Sequence, residues 1–258
     1  MISMPTPYPL SVCLVLALCS PCRAENEVSV SSPSGNHVIQ FSLLDGVPHY
    51  DVSYRGAPIL APSALSLEFD GDEFNGALVV DRRESRLQNS SWVPVTGSKS
   101  SYPDSFQEIV IQLRESSGKK RRLDLIFRAY DEGVAFRYSI PKQEGIGKLK
   151  LNAENTQFQF TDDHFVYWDD YPQAKYSKVR ISEMPGRSIR PLLVEAGSHF
   201  VAIAEAGSLE DYAPMMLNRS GKNRLVTWFR SGTVSADKTL KTPWRVCLLY
   251  TSPSPRDS

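Results

Sequence analysis

Cysteine and histidine are scarce in this chain, with four of each among 258 residues, and their positions exclude more than their number does. Cys13, Cys19 and Cys22 crowd into the first two dozen residues, which leaves Cys247 alone in the remainder. A lone cysteine permits no disulfide framework and no cysteine-based zinc site. His37, His49, His164 and His199 are scattered without an i, i+4 pair, so a histidine metal site has no support either. An excess of one charge sign is lacking too. The 29 Lys and Arg balance the 29 Asp and Glu, and no net field gathers nucleic acid or an anionic membrane surface. The runs Lys119-Lys120-Arg121-Arg122 and Asp81-Arg82-Arg83 stand beside turn residues and read as solvated loops. No phosphate-binding loop, dinucleotide fingerprint or GxSxG elbow occurs. Long stretches of helical period are missing, and so is any repeat of fixed length, which counts against propellers and solenoids.

What is present begins with an almost unbroken apolar run, Leu10 to Cys19, followed by Ser20, Pro21 and the small-residue ending Cys22-Arg23-Ala24. That order is a secretory signal pattern, and the run falls short of the roughly 20 apolar residues that span a bilayer. None of the three early cysteines follows a small residue, as a lipoprotein signal requires. Residues 1–24 are therefore expected to be removed, leaving a secreted or periplasmic chain without a membrane anchor that starts near Glu25.

Past that point, short segments rich in β-branched and aromatic residues alternate with turn clusters. Val38 to Leu43 meets Asp45-Gly46, Tyr50 to Tyr54 meets Arg55-Gly56, and Ala64 to Phe69 meets Asp70-Gly71, which predicts hairpins in series. Glu108 to Leu113, Leu123 to Arg128 and Val134 to Ile140 read as three further strands, and runs near Leu149, Phe158, Val166, Leu192, Phe200 and Val226 continue the pattern. More than a dozen strands without helical crossovers predict an all-β fold, one large antiparallel β-sandwich.

Three segments carry chemistry. Phe127 to Tyr138 is a strand, an acidic turn with Gly133, and a second strand. Its Arg128 and Arg137 are expected to stack on aromatic faces or to pair with carboxylates across the sheet. Trp168-Asp169-Asp170-Tyr171 sets two carboxylates between aromatics. That composition suits sugar hydroxyls or a hard cation such as calcium, and equally a solvated acidic turn with its aromatics packed inward. Glu205 follows the apolar strand Phe200 to Ala204, so its carboxylate needs a partner, and a structural hydrogen bond or ion pair anchoring the next turn is expected. The sequons Asn89-Ser90-Ser91 and Asn218-Arg219-Ser220 carry no assigned role.

Read in order, Ser32-Pro33-Ser34-Gly35-Asn36, Tyr54-Arg55-Gly56-Ala57-Pro58-Ile59, Trp92-Val93-Pro94-Val95-Thr96-Gly97, the Phe127 to Tyr138 segment, Pro141-Lys142-Gln143, Glu205-Ala206, Asp211-Tyr212 and Thr242-Pro243-Trp244-Arg245 resemble one family. It is the amino-terminal domain of glycoside hydrolase family 97, whose members are α-glucosidases and α-galactosidases. The resemblance runs from about Val28 to Val246. It implies a supersandwich similar to galactose mutarotase that packs on a (β/α)8 catalytic barrel, the source of the catalytic carboxylates. It also implies α-linked oligosaccharide as substrate, and a calcium ion bound partly by a glutamate of this domain. Aligned on Tyr176 and Ser182-Glu183, that glutamate falls at Gln173, with Asp169 or Asp170 as substitutes if the loop register shifts. At Phe106-Gln107-Glu108 the family shows Tyr-Asn-Glu, and Glu108 alone is retained. The Trp168 to Gln173 loop and Glu205 are expected on one rim facing the barrel. Residues 25–246 are read as the domain, and residues 247–258, similar to translated sequencing-adapter sequence, as a non-native tail outside its core. The chain alone is expected to cleave no glycoside. A self-standing, non-catalytic carbohydrate-binding module is the alternative.

Overall fold

The computed structural model describes residues 27–96, 100–207, 211–230 and 232–250. The proposed signal, 1–24, lies outside them. In chain order the strands are β1 (Glu27–Ser31), β2 (His37–Leu44), β3 (Val47–Tyr54), β4 (Ala57–Ala64), β5 (Leu67–Phe69), β6 (Leu78–Trp92), β7 (Tyr102–Glu115), β8 (Arg122–Tyr130), β9 (Gly133–Ile140) and β10 (Lys148–Glu154). They continue with β11 (Gln157–Phe160), β12 (Phe165–Trp168), β13 (Ser177–Arg180), β14 (Leu192–Ala196), β15 (His199–Ala206), β16 (Met215–Arg219), β17 (Arg224–Phe229), β18 (Val234–Asp237), β19 (Leu240–Lys241) and β20 (Trp244–Tyr250). The single helical turn among the described residues is 3-10, Ile181–Glu183.

The strands form an antiparallel seven-stranded sheet, β1-β2-β3-β4-β11-β17-β16, against a ten-stranded one. The larger runs β13-β12-β14-β15-β20-β9-β8-β7-β6, with β19 paired to β9. Alternation decides which side chains meet between them. Phe41, Tyr50 and Phe158 of the smaller sheet face Phe127 and Phe136 of the larger, and Tyr50 packs against Phe136 with ring planes tilted by 48° and centroids 4.6 Å apart. Each such buried aromatic contributes about 1.5–3 kcal/mol, and together they hold the sheets face to face.

The turn chemistry explains two of the expected hairpins. Asp45 and Gly46 have φ of 51° and 78°, and Arg55 and Gly56 have 50° and 79°. Positive φ at both central positions matches the twist of the flanking strands, so β2-β3 and β3-β4 close through two-residue turns. The third expected hairpin is corrected. Ala64 ends β4, and the three-residue β5 pairs with β10 in a separate sheet, β18-β10-β5, instead of turning back at Asp70-Gly71.

The expectation that residues 247–258 stand outside the core is corrected for its described part, 247–250. Cys247 is buried in the core, paired with Ile203 on one side and Val134 on the other. A Cβ on Gly133 would stand 2.1 Å from the Cys247 carbonyl oxygen, so β9 and β20 approach this closely because position 133 has no side chain. Burial pushes the Cys247 thiol up to about 12. Residues 251–258 lie outside the described residues.

Candidate functional site: an aromatic cleft at the sandwich edge

A cleft of about 710 Å³ opens where edge strand β16 of the smaller sheet approaches the end of β12 in the larger. Trp168, Asp170, Arg187, Asn218, Trp228 and Arg230 are among its walls. Strand alternation supplies one wall. Leu225, Thr227 and Phe229 turn into the core, so Trp228 turns outward beside Met216, its partner across the β16-β17 pair. The Arg187 guanidinium lies over the Trp228 ring, 3.2 Å from its centroid, and covers one aromatic face with a cation.

The opposite wall is irregular backbone fixed by hydrogen bonds. The Trp168 indole N–H donates to the carbonyls of Gly186 (3.3 Å) and Arg187 (3.2 Å). The Asp169 carbonyl accepts from the Ser188 hydroxyl (3.0 Å) and the Ile189 N–H (3.1 Å). Ser188 in turn exchanges backbone hydrogen bonds with Leu217 of β16, at 2.7 and 2.9 Å. The segment 186–190 is thus stitched on one side to the Trp168 loop and on the other to the smaller sheet. These backbone pairings substitute for a strand, which is why a loop can hold a wall.

The three candidate metal ligands separate. Asp170 is exposed and lines the cleft, and Gln173 is exposed on the turn closed by the Ala174 N–H to the Tyr171 carbonyl. Asp169 is only 2% exposed, and its carboxylate forms neither hydrogen bond nor ion pair among the described residues. Burial, and then the charge of Asp170, raise its pKa above the usual aspartate value. Calcium takes six to eight oxygens, and no group of three or more His, Cys, Asp or Glu that could hold a metal occurs among the described residues. These side chains fit a share of a calcium shell and do not complete one.

Glu205 does not share the rim; this expectation is corrected. Its side chain is 1% exposed and lies beneath the wall, drawn inward by Arg245 (2.6 Å) and Arg190 (2.9 Å), and it accepts the Met215 N–H (3.2 Å). Arg190 also donates to the Met215 carbonyl, so the Glu205 carboxylate and the cleft wall meet through one arginine. Arg245 continues inward to Glu154, contacting both carboxylate oxygens at 2.7 and 2.6 Å, and Tyr212 and Thr156 donate to the same glutamate. Nothing in the sequence singled out Glu154, because its partner is 91 residues away. Glu108 lies on the outer face of the larger sheet, ion-paired with Arg86 and Arg128.

A family model described as glycosyl-hydrolase 97 N-terminal matches residues 30–255. The chain belongs to this family. Among curated relatives, a probable retaining α-galactosidase of Streptomyces bingchenggensis is 26% identical over 92% of this chain, and a retaining α-galactosidase of Bacteroides thetaiotaomicron is 22% identical over 84%. The chain spans 38% and 34% of their respective lengths. A solved family 97 enzyme from Pseudoalteromonas sp. strain K8, in complex with acarbose, shares the fold with a TM-score of 0.81 at 24% identity, covering 87% of this chain and 36% of that one. A β-arabinopyranosidase matches with a TM-score of 0.76 at 22% identity. The all-β supersandwich expected from the sequence is the fold of the family's amino-terminal domain.

Proposed function

We propose that this chain is the amino-terminal domain of a secreted glycoside hydrolase acting on α-linked galactosides or glucosides, and that its cleft forms part of the wall of that enzyme's sugar site. The family match over residues 30–255 carries the reading. The cleft adds chemistry suited to a polyhydroxylated ligand: indole faces for the apolar side of a sugar ring, and Asp170, Asn218 and Arg230 for its hydroxyls. The retaining α-galactosidases named above are larger than this chain, which supports the reading that the acid, base and nucleophile belong to a catalytic barrel against which the domain packs. Asp170 and Gln173 supply oxygen ligands toward a calcium ion shared with that barrel, whose positive charge serves to orient and polarise a bound sugar.

Activity and calcium titrations test the parts separately. The longer polypeptide releases p-nitrophenol from its α-galactoside or α-glucoside, and the 258-residue chain alone does not. Turnover by the chain alone, abolished by replacing one of its own carboxylates, sinks the division of labour. If Gln173 is a ligand, Gln173→Glu tightens calcium, because a charged oxygen replaces a neutral one. If Asp170 holds the ion, Asp170→Asn weakens it while Gln173→Ala changes little. A calcium dependence unmoved by all three variants refutes the shared site.

A further inference from the structure

His37 opens β2 and faces Tyr54 across the β2-β3 pair, with ring centroids 4.7 Å apart. It is 2% exposed, and neither ring nitrogen has a hydrogen-bond partner among the described residues. Most buried side-chain polar atoms find a partner, so an imidazole left with none stands apart in this fold. Neutral, it is tolerated as a packed ring. With a second proton it becomes a buried cation carrying two unmatched N–H groups.

The turn that joins β1 to β2 is built around this residue. The His37 carbonyl accepts the Ser32 N–H (2.8 Å), the His37 N–H donates to the Ser32 hydroxyl (3.3 Å), and the Gly35 N–H returns to the Ser32 carbonyl (2.8 Å). The Ser34 N–H donates to Asp131 (2.9 Å), which lies 97 positions away in the turn between β8 and β9 of the larger sheet. β1 itself is the outermost strand of the smaller sheet, with a strand neighbour on one side only. The charged groups that act on the His37 ring are Asp131, which favours a proton there, and Arg55, which opposes it. Arg55 also lies over Tyr54, 5.1 Å from the ring centroid, and His199 meets Tyr54 edge-on at 5.2 Å. Glu132, the other carboxylate of the β8-β9 turn, is exposed.

We propose that His37 makes the β1-β2 turn an acid-sensitive latch, holding the turn to the larger sheet while the ring is neutral and releasing it once the ring is charged. At neutral pH the ring packs on Tyr54 and leaves Asp131 to hold Ser34. In acid a proton from solvent adds to the unprotonated ring nitrogen, and the imidazolium draws the Asp131 carboxylate away from the Ser34 N–H. The turn and β1 then come away from the β8-β9 turn. Burial is the largest influence on His37 and pulls its pKa below the ordinary 6.5, with Asp131 acting against it and Arg55 with it. The closed latch therefore binds this proton less tightly than the open one. Below about pH 6.5 each fall in pH favours opening, until the folded-state value is passed. Burial pushes Asp131 upward, and the hydrogen bonds from Ser34 and Ser32 together with the His37 charge outweigh it. Its carboxylate stays ionised while histidine titrates.

Amide exchange and ring titration by NMR test this in the 258-residue chain. His37→Phe keeps an aromatic ring against Tyr54 and cannot titrate. Relative to that variant, the wild-type chain is expected to lose protection at Ser34 and along β1 by about three- to tenfold between pH 7 and pH 5, with β7 and β8 unchanged. The His37 ring signals should titrate over the same interval. Asp131→Asn should move their midpoint to lower pH, because the anion that favours the proton is gone. His199→Gln and Glu132→Gln should leave both readouts in place. An equal loss of protection in wild type and His37→Phe assigns the acid response to other groups and overturns the latch. A ring that titrates while Ser34 stays protected overturns it too, as does a ring still neutral at pH 5. Should His37→Phe not fold, an Asp131→Asn midpoint equal to the wild type's is enough to refute the proposal.

Discussion

Arg245 and Asp169 are both ionisable residues with little exposed surface, 0% and 2%, and their surroundings treat them in opposite ways. Arg245 meets Glu154 through two hydrogen bonds and Glu205 through a third. Burial alone would pull its pKa down, and the charge and hydrogen bonds of Glu154 push it up instead. For Glu154, burial is the largest influence and acts upward, and the Arg245 charge outweighs it only together with the hydrogen bonds from Arg245, Tyr212 and Thr156, so the carboxyl is held below the usual range. Asp169 has a second carboxylate as its neighbour and no cation paired with it among the described residues, and burial, then the Asp170 charge, move its pKa up. A buried charge whose every oxygen or N–H is matched serves the fold. One left without a counter-charge beside a cleft is available to something the chain does not itself contain.

The sharpest way to break that contrast is to remove the matched cation. Arg245→Met leaves Glu154 and Glu205 buried without their shared partner, and the expected loss of stability in urea denaturation is about 3–5 kcal/mol. A loss below about 1 kcal/mol would mean that the network is incidental. Acid should act in the same direction. Glu154 has a folded-state pKa below its unfolded value, so its stabilisation is present above the unfolded value of about 4.3 and is lost as pH falls through the folded one.

Glu205→Gln is the intermediate case. The shape is kept, the charge between Arg190 and Arg245 is lost, and about 1–3 kcal/mol is expected to go with it. Because Arg190 ties Glu205 to the wall of the cleft, amide exchange should quicken at Ser188 and Leu217 more than at β8 or β9. Uniform quickening would show that Glu205 stabilises the sandwich without positioning the wall.

The strands were legible because their signal is local. Alternation and the Asp45-Gly46 and Arg55-Gly56 turns act within a few residues, and the Glu108, Leu123 and Val134 runs became adjacent strands as read. Ala64 to Phe69 failed for the opposite reason. Its alternation was correct, but its partner is β10, more than 80 residues on, and no turn signal reports a pairing that distant. The stacking of Arg128 and Arg137 could be anticipated from a two-strand segment, whereas their common platform, Trp244, comes from the far end of the chain. The cleft was half visible. Trp168 to Gln173 stood out as an acidic aromatic loop, while Arg187, Asn218 and Trp228 join it only through the Ser188–Leu217 bridge and the β16-β17 pair. Glu205 was placed on the rim because a carboxylate after an apolar strand reads the same from sequence whether it faces a cleft or an arginine below it.

The smallest expected effect carries the opposite sign, which makes it the most discriminating. Asp169→Asn keeps the side chain's shape and removes a charge that has no partner, so the 258-residue chain should gain stability, by no more than about 1 kcal/mol. The folded-state pKa of Asp169 is raised, so below the unfolded value of about 3.9 the group is protonated in both states and costs nothing. The cost grows as pH rises through the folded value and is complete above it. The difference between variant and wild type should therefore be full at neutral pH and vanish on acidification, the reverse of the Glu154 contribution. If calcium is held at this loop in the longer polypeptide, the ion supplies the missing counter-charge. There Asp169→Asn should lose its advantage once calcium is added, while the metal-free protein keeps it. A variant destabilised at neutral pH would show that Asp169 is matched after all, and the distinction drawn between it and Arg245 would fail.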